Sequence, residues 1–156
     1  MERPIYRSDS EIRDVVEMFE SCSFALQEFT HARHLTVACW YLCALPPDQA
    51  LGRMRVGLQR FITHHGRQGY HETITRFWME LLGEFLRNLP EEISMVEKTS
   101  RAVEAHSNKE ILFRYYSREF VMSEAARKEW IEPDLSSWNP TFPTAGNVGH
   151  ALRFLP

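Results

Sequence analysis

The sequence predicts an all-α fold: a single-domain bundle of about six or seven helices with an irregular C-terminal tail. Apolar residues recur three and four apart through most of residues 8–130. Prolines fall between these periodic stretches rather than inside them, and no stretch alternates with the period of two that marks a strand. The 156 residues are 44% hydrophobic and 25% charged, which suits one ordinary globular domain able to bury a core without disulfides or metal.

The first helix is expected near Ser8, which with Glu11 forms a capping-box pair, and Ile12, Val15, Val16 and Phe19 give it one apolar face. Residues 21–29 read as irregular. A second helix opens at Thr30 as N-cap and stops at Pro46-Pro47, with Leu35, Ala38, Leu42 and Leu45 as its stripe. A third follows the prolines, buries Leu51, Met54, Leu58, Phe61 and Ile62, and ends at Gly66.

The fourth helix, from Glu72 to Asn88, is the most strongly amphipathic, through Ile74, Phe77, Trp78, Leu81, Leu82 and Phe85. A more polar fifth covers 91–106 with Ile93, Val96 and Val103 inward. Ser107 with Glu110 suggests a capped helix running through Tyr116, and Ser123 a last short one ending near Trp130. The helical domain is thus drawn at 1–135. The tail, 136–156, is rich in proline and glycine, and Trp138, Phe142 and Phe154 are expected to pin it to the body.

Composition excludes some functions. A net charge of −3 is the wrong sign for a nucleic-acid footprint. No apolar run approaches the roughly 20 residues of a membrane span. Cys22, Cys39 and Cys43 lack metal-knuckle spacing and read as buried thiols, with Cys39 and Cys43 sharing a helix face. The polar N-terminus lacks a signal-peptide core, so a cytoplasmic location is expected. A homo-oligomer is compatible with all of this.

Seven histidines occur, and their placement is informative. At about 100° per residue, His31 and His34 fall on the buried stripe of the second helix, and His71 on the inner face at the start of the fourth. Imidazoles three apart on one helix suit a transition metal such as Zn, Fe, Cu or Ni, with His71 as third ligand and a position open for substrate. Glu28 before His31 supplies one Glu-x-x-His spacing, a single copy of the pair that di-iron bundles use. Without metal, the same histidines serve as acid and base near neutral pH. The competing reading makes them core hydrogen-bonders. His64 and His65 read as last-turn cations complementing the helix dipole.

Tyr70 projects toward the pocket. Glu72 projects outward on a regular helix and joins the site only if residues 70–73 are extended. In Arg114-Tyr115-Tyr116-Ser117-Arg118-Glu119 only one tyrosine can face inward, and Arg118 is free either to bind an anionic substrate or to pair with a carboxylate.

The stretches Phe29-Thr-His31-Ala-Arg-His34-Leu35, Tyr70-His71-Glu72-Thr73, Tyr115-Tyr116-Ser117-Arg118-Glu119 and Glu132-Pro133-Asp134-Leu135 together resemble a functionally uncharacterised family of small helical bacterial proteins. The resemblance spans roughly residues 10–135. It implies that His31, His34, His71 and Glu72 belong to the family pattern, and it implies no reaction. The tail extends beyond that pattern.

The leading expectation is a small-molecule enzyme, of the biosynthetic-tailoring kind, in which His31, His34 and His71 touch the substrate with Tyr70 and Glu72 as helpers, with or without a divalent transition metal. The alternative is a non-enzymatic binding or accessory protein whose histidines are structural.

Overall fold

The structure is a computed structural model that describes residues 5–136; the predicted tail, with Trp138, Phe142, Phe154 and His150, lies outside the described residues beyond Ser136. The fold is all-α, with no strand among the described residues. The long helices are α1 (Asp9–Glu20), α2 (His31–Ala44), α3 (Pro47–His64), α4 (Glu72–Arg87) and α5 (Met95–Ala105). A C-terminal layer follows, made of a 3-10 segment (Lys109–Arg114), α6 (Arg118–Val121) and α7 (Glu124–Lys128).

Each start has a local cause. Ser8, Thr30, Ser94, Ser117 and Ser123 cap α1, α2, α5, α6 and α7 by accepting a backbone N–H from inside the first turn. Helix α3 begins with Pro47 at its first position, where the missing N–H costs nothing. It ends in a Schellman turn: Gly66 N–H donates to Thr63 O, Arg67 N–H to Ile62 O, and Gly66 takes φ +68°. Helix α1 ends the same way with Cys22 in the glycine position, at φ +57°. There Cys22 N–H donates to Phe19 O and Ser23 N–H to Met18 O.

Helix α2 is central, packed by α1, α3, α4 and α5. Its buried residues, Leu35, Thr36, Val37, Ala38, Cys39 and Tyr41, go nearly all the way round, as a helix enclosed by neighbours requires. Helix α3 approaches α1 closely at Gly57, where an added Cβ would stand 2.6 Å from Phe19 Cε2. Helix α4 has two working faces. Met79 and Leu82 join the main core with α2, while Phe77 forms a second core with Leu112, Tyr116 and Val121 of the C-terminal layer.

Three local expectations are corrected. Residues 107–116 form no capped α-helix, because Asn108 rather than Ser107 turns the chain. The Asn108 side chain accepts Glu110 N–H, an Asx-type turn that continues as 3-10 geometry. Helix α5 starts at Met95, capped by Ser94, rather than at 91, whereas Ser123 caps the last short helix as expected. Cys22 and Cys39 are buried free thiols, but Cys43, near the end of α2, is exposed.

Candidate functional site

A cavity of about 360 Å³ lies where the C-terminal layer covers α2, α3 and α4. Leu35 and Ala38 of α2, Met54, Leu58 and Ile62 of α3, and Ile74, Trp78 and Met79 of α4 line its body. Leu112, Phe113 and Met122 close it from the C-terminal layer. His31, His34, Tyr70, His71 and Lys109 also reach it. Four of the five predicted site residues therefore converge on one space.

His31 is the first residue of α2, and its Nε2–H donates to the carbonyl of His106 at 2.9 Å. Its ring meets Trp78 edge-on at 4.8 Å between centroids. Partial burial lowers the basicity of His31, against a smaller opposing effect of that hydrogen bond. His106 itself, the C-cap of α5, donates Nδ1–H to Ala102 O. One histidine thus orients another through backbone.

His34 sits one turn further along α2, against Phe29 with ring centroids 4.0 Å apart. No group among the described residues hydrogen-bonds its ring. It lies deep in the domain yet keeps accessible surface, and it lines the cavity. Burial, reinforced by the nearby His31 and Lys109 side chains, pushes its pKa down to about 3. His34 is therefore neutral at physiological pH and a weak base.

His71 caps α4. Its Nδ1 accepts Ile74 N–H at 3.1 Å while Nε2–H donates to Val121 O at 2.6 Å. Both ring nitrogens are occupied by backbone, so His71 ligates a metal only by giving up one of these bonds. Among the described residues no group of three or more His, Cys, Asp or Glu side chains is arranged to hold a metal ion. Glu28, the carboxylate of the Glu-x-x-His spacing, is turned back to accept Ala25 N–H at 2.7 Å.

Glu72 stands apart from the cavity. As the first residue of α4 it turns to α3, where Arg55 grips it with Nε–Oε1 at 2.8 Å and Nη2–Oε2 at 2.7 Å. Tyr70 OH donates to the same Oε1 at 2.7 Å. The Arg55 hydrogen bonds hold the Glu72 carboxyl below its ordinary range, while burial and the bond to Glu72 raise the Tyr70 phenol. Glu72 is an ionised tie between α3 and α4 on the wall of an open cleft shared with Arg76, Arg127 and Trp130.

The remaining motifs hold the C-terminal layer in place. Thr73 Oγ1 donates to Glu129 O and accepts Ile131 N–H. Tyr116 is fully buried and donates to Ile131 O at 2.6 Å, whereas Tyr115 is only half-buried. Ser117 donates Oγ–H and N–H to the two oxygens of Asp134, and Leu135 N–H donates to Tyr115 O. Arg118 lies over the Phe113 ring at 4.1 Å and approaches Glu110 only to 3.9 Å. His65, beyond its expected dipole role, donates Nε2–H to Phe24 O and anchors the 21–29 loop.

Sequence reasoning missed two residues. Arg55 carried a signal, since it interrupts the apolar stripe of α3 between Met54 and Leu58. Lys109 carried none, because the 3-10 turn that aims it at the cavity was read as helix. No helix of the described residues is long and apolar enough to cross a membrane. Compared with protein-family models, with curated proteins and with solved structures, the chain finds no match in any of the three.

Proposed function

We propose that the protein takes a small, mainly apolar organic molecule into the cavity between α2, α3, α4 and the C-terminal layer, with His34 as its directed polar contact. The observation that carries this reading is a neutral imidazole with no hydrogen-bond partner among the described residues, set in a cavity whose body is lined mainly by apolar side chains. A polar group left unbonded out of bulk water costs about 1–3 kcal/mol, which a ligand that bonds it recovers. The volume stands at the small end of the range for ligand sites, and concave apolar walls with few polar groups are what such sites share.

Catalysis in the same cavity is a second reading, favoured by His31. Because its Nε2–H donates to His106 O, Nδ1 is the unprotonated nitrogen, the form a general base requires. The weak basicity of His34 suits binding rather than proton transfer.

The test is thermal denaturation with decanol or 1-naphthol. At about 100 times Kd, one occupied site adds about 2.7 kcal/mol of stability. The wild-type midpoint should rise by several degrees. Ala38→Phe, which fills the cavity, should abolish the rise, and Val56→Phe, on the exposed face of α3, should retain it. No rise in wild type with either probe, or an equal rise in Ala38→Phe, overturns the proposal. Loss of turnover with retained binding in His31→Ala would identify the catalytic form.

A further inference from the structure

The cavity has a polarity along which an occupant would align. Among the described residues its only charged lining side chain is Lys109, and no aspartate or glutamate lines it. Some exposed cations of this chain are held by a carboxylate: Arg53 by Glu20, Arg101 by Glu97, Lys128 by Glu124. Lys109 has none among the described residues. Its position is fixed by the same bond that orients His31. His31 holds the His106 carbonyl, and the Asn108 turn then opens the 3-10 segment with Lys109 as first residue. Lys109, His31 and His34 therefore neighbour one another on the cavity wall, where His71, Tyr70 and Thr75 are the other polar residues and the remainder is hydrocarbon, thioether and ring.

We infer that the natural occupant is an amphiphilic anion: a carboxylate directed to Lys109 and the His31–His34 end, joined to an apolar body among Leu58, Ile74 and Met79. This rests on the reading of the cavity as a small-molecule site. A cation on the wall with no acid beside it favours an anionic head over a cationic one, and the neutral His34 ring, which has no partner among the described residues, has an N–H to donate to that head. The three methionines of the wall, Met54, Met79 and Met122, adapt to bodies of differing shape. At roughly 30 Å³ for each water-sized atom, a space of 360 Å³ holds about twelve non-hydrogen atoms. A ten-carbon carboxylate has that size.

The experiment titrates decanoate, decanol and decylamine, below their aggregation limits and at pH 8, into wild type, Lys109→Met and Lys109→Glu. Lys109 is exposed, so neither substitution threatens folding. In wild type decanoate should bind about fivefold tighter than decanol, with decylamine weakest, as a partly solvated ion pair allows. The preference should shrink in 0.5 M salt, vanish in Lys109→Met and invert toward decylamine in Lys109→Glu. Equal binding of decanoate and decanol to wild type, or an unchanged preference in Lys109→Met, overturns the anion inference while leaving the apolar pocket standing. Binding of none of the three removes the pocket reading and this inference with it.

Discussion

His71 and Val121 are joined by a 2.6 Å hydrogen bond across 50 residues, from the imidazole Nε2–H to the backbone carbonyl. The other nitrogen of the same ring caps α4. One side chain thus starts the helix that floors the cavity and fixes the layer that roofs it. The inward projection of His71 brings both of its ring nitrogens to backbone partners.

His71→Ala should therefore cost stability, by about 2 kcal/mol from the lost cap and the lost tie together. His71→Asn, which keeps a capping oxygen without reaching Val121, should recover part of it. Urea denaturation measures both. A His71→Ala protein as stable as wild type would contradict the clamp.

Arg55 and Glu72 should show coupling in a double-mutant cycle. Arg55→Met leaves a carboxylate with 14% side-chain exposure and one hydrogen bond, from Tyr70, so it should destabilise by about 1–2 kcal/mol. The double variant Arg55→Met/Glu72→Gln should be less destabilised than the sum of its parts. Additive losses would mean that the bidentate contact contributes nothing.

Glu80 predicts an alkaline weakness. Its carboxyl is buried in α4 with Oε1 on Arg76 Nε at 2.9 Å and Oε2 without a partner, and burial pushes its pKa up to about 7. Arg76 and Arg87 oppose that rise, and Glu132 adds to it. A carboxyl raised on folding contributes stability below its unfolded value, lost as pH climbs through about 7. Wild type should weaken by on the order of 2 kcal/mol between pH 5 and pH 8.5 relative to Glu80→Gln, read from paired denaturation curves. Parallel pH profiles for the two proteins would exclude this role.

His34 predicts the opposite limb. A histidine lowered on folding gives stability that is present above its ordinary value and lost as pH falls toward about 3. His31, His71 and His106 are lowered too, and add in the same direction. Between pH 7 and pH 5 the His34 share of the loss is about 2 kcal/mol. His34→Gln should flatten the acid limb by that amount. An unchanged acid slope in His34→Gln would show that this imidazole takes up a proton freely.

The histidine site was legible where helical periodicity governs and illegible where chain reversals do. His31 and His34 were placed inward from the Leu35, Ala38 and Leu42 stripe, and they do line the cavity. Tyr70 lines the cavity beside them, but its hydroxyl is given to Glu72. Glu72 was judged by projection alone; its carboxylate is instead taken by Arg55, from a helix whose approach no spacing within α4 encodes. Ser117 and Asp134 read as parts of two separate motifs, and they are two halves of one clasp.

By itself the sequence determined the five long helices, the caps at Ser8, Thr30 and Ser123, and most of the buried stripes. Capping, proline stops and 3.6-residue periodicity act within a few residues of chain, so each leaves its mark locally. Only the tertiary structure decided which imidazoles keep a free nitrogen. His71 loses both of its own to Ile74 and Val121, His31 spends one on His106, and His34 spends none. Those partners lie up to 75 residues away, and a hydrogen bond is set by distance in space rather than along the chain.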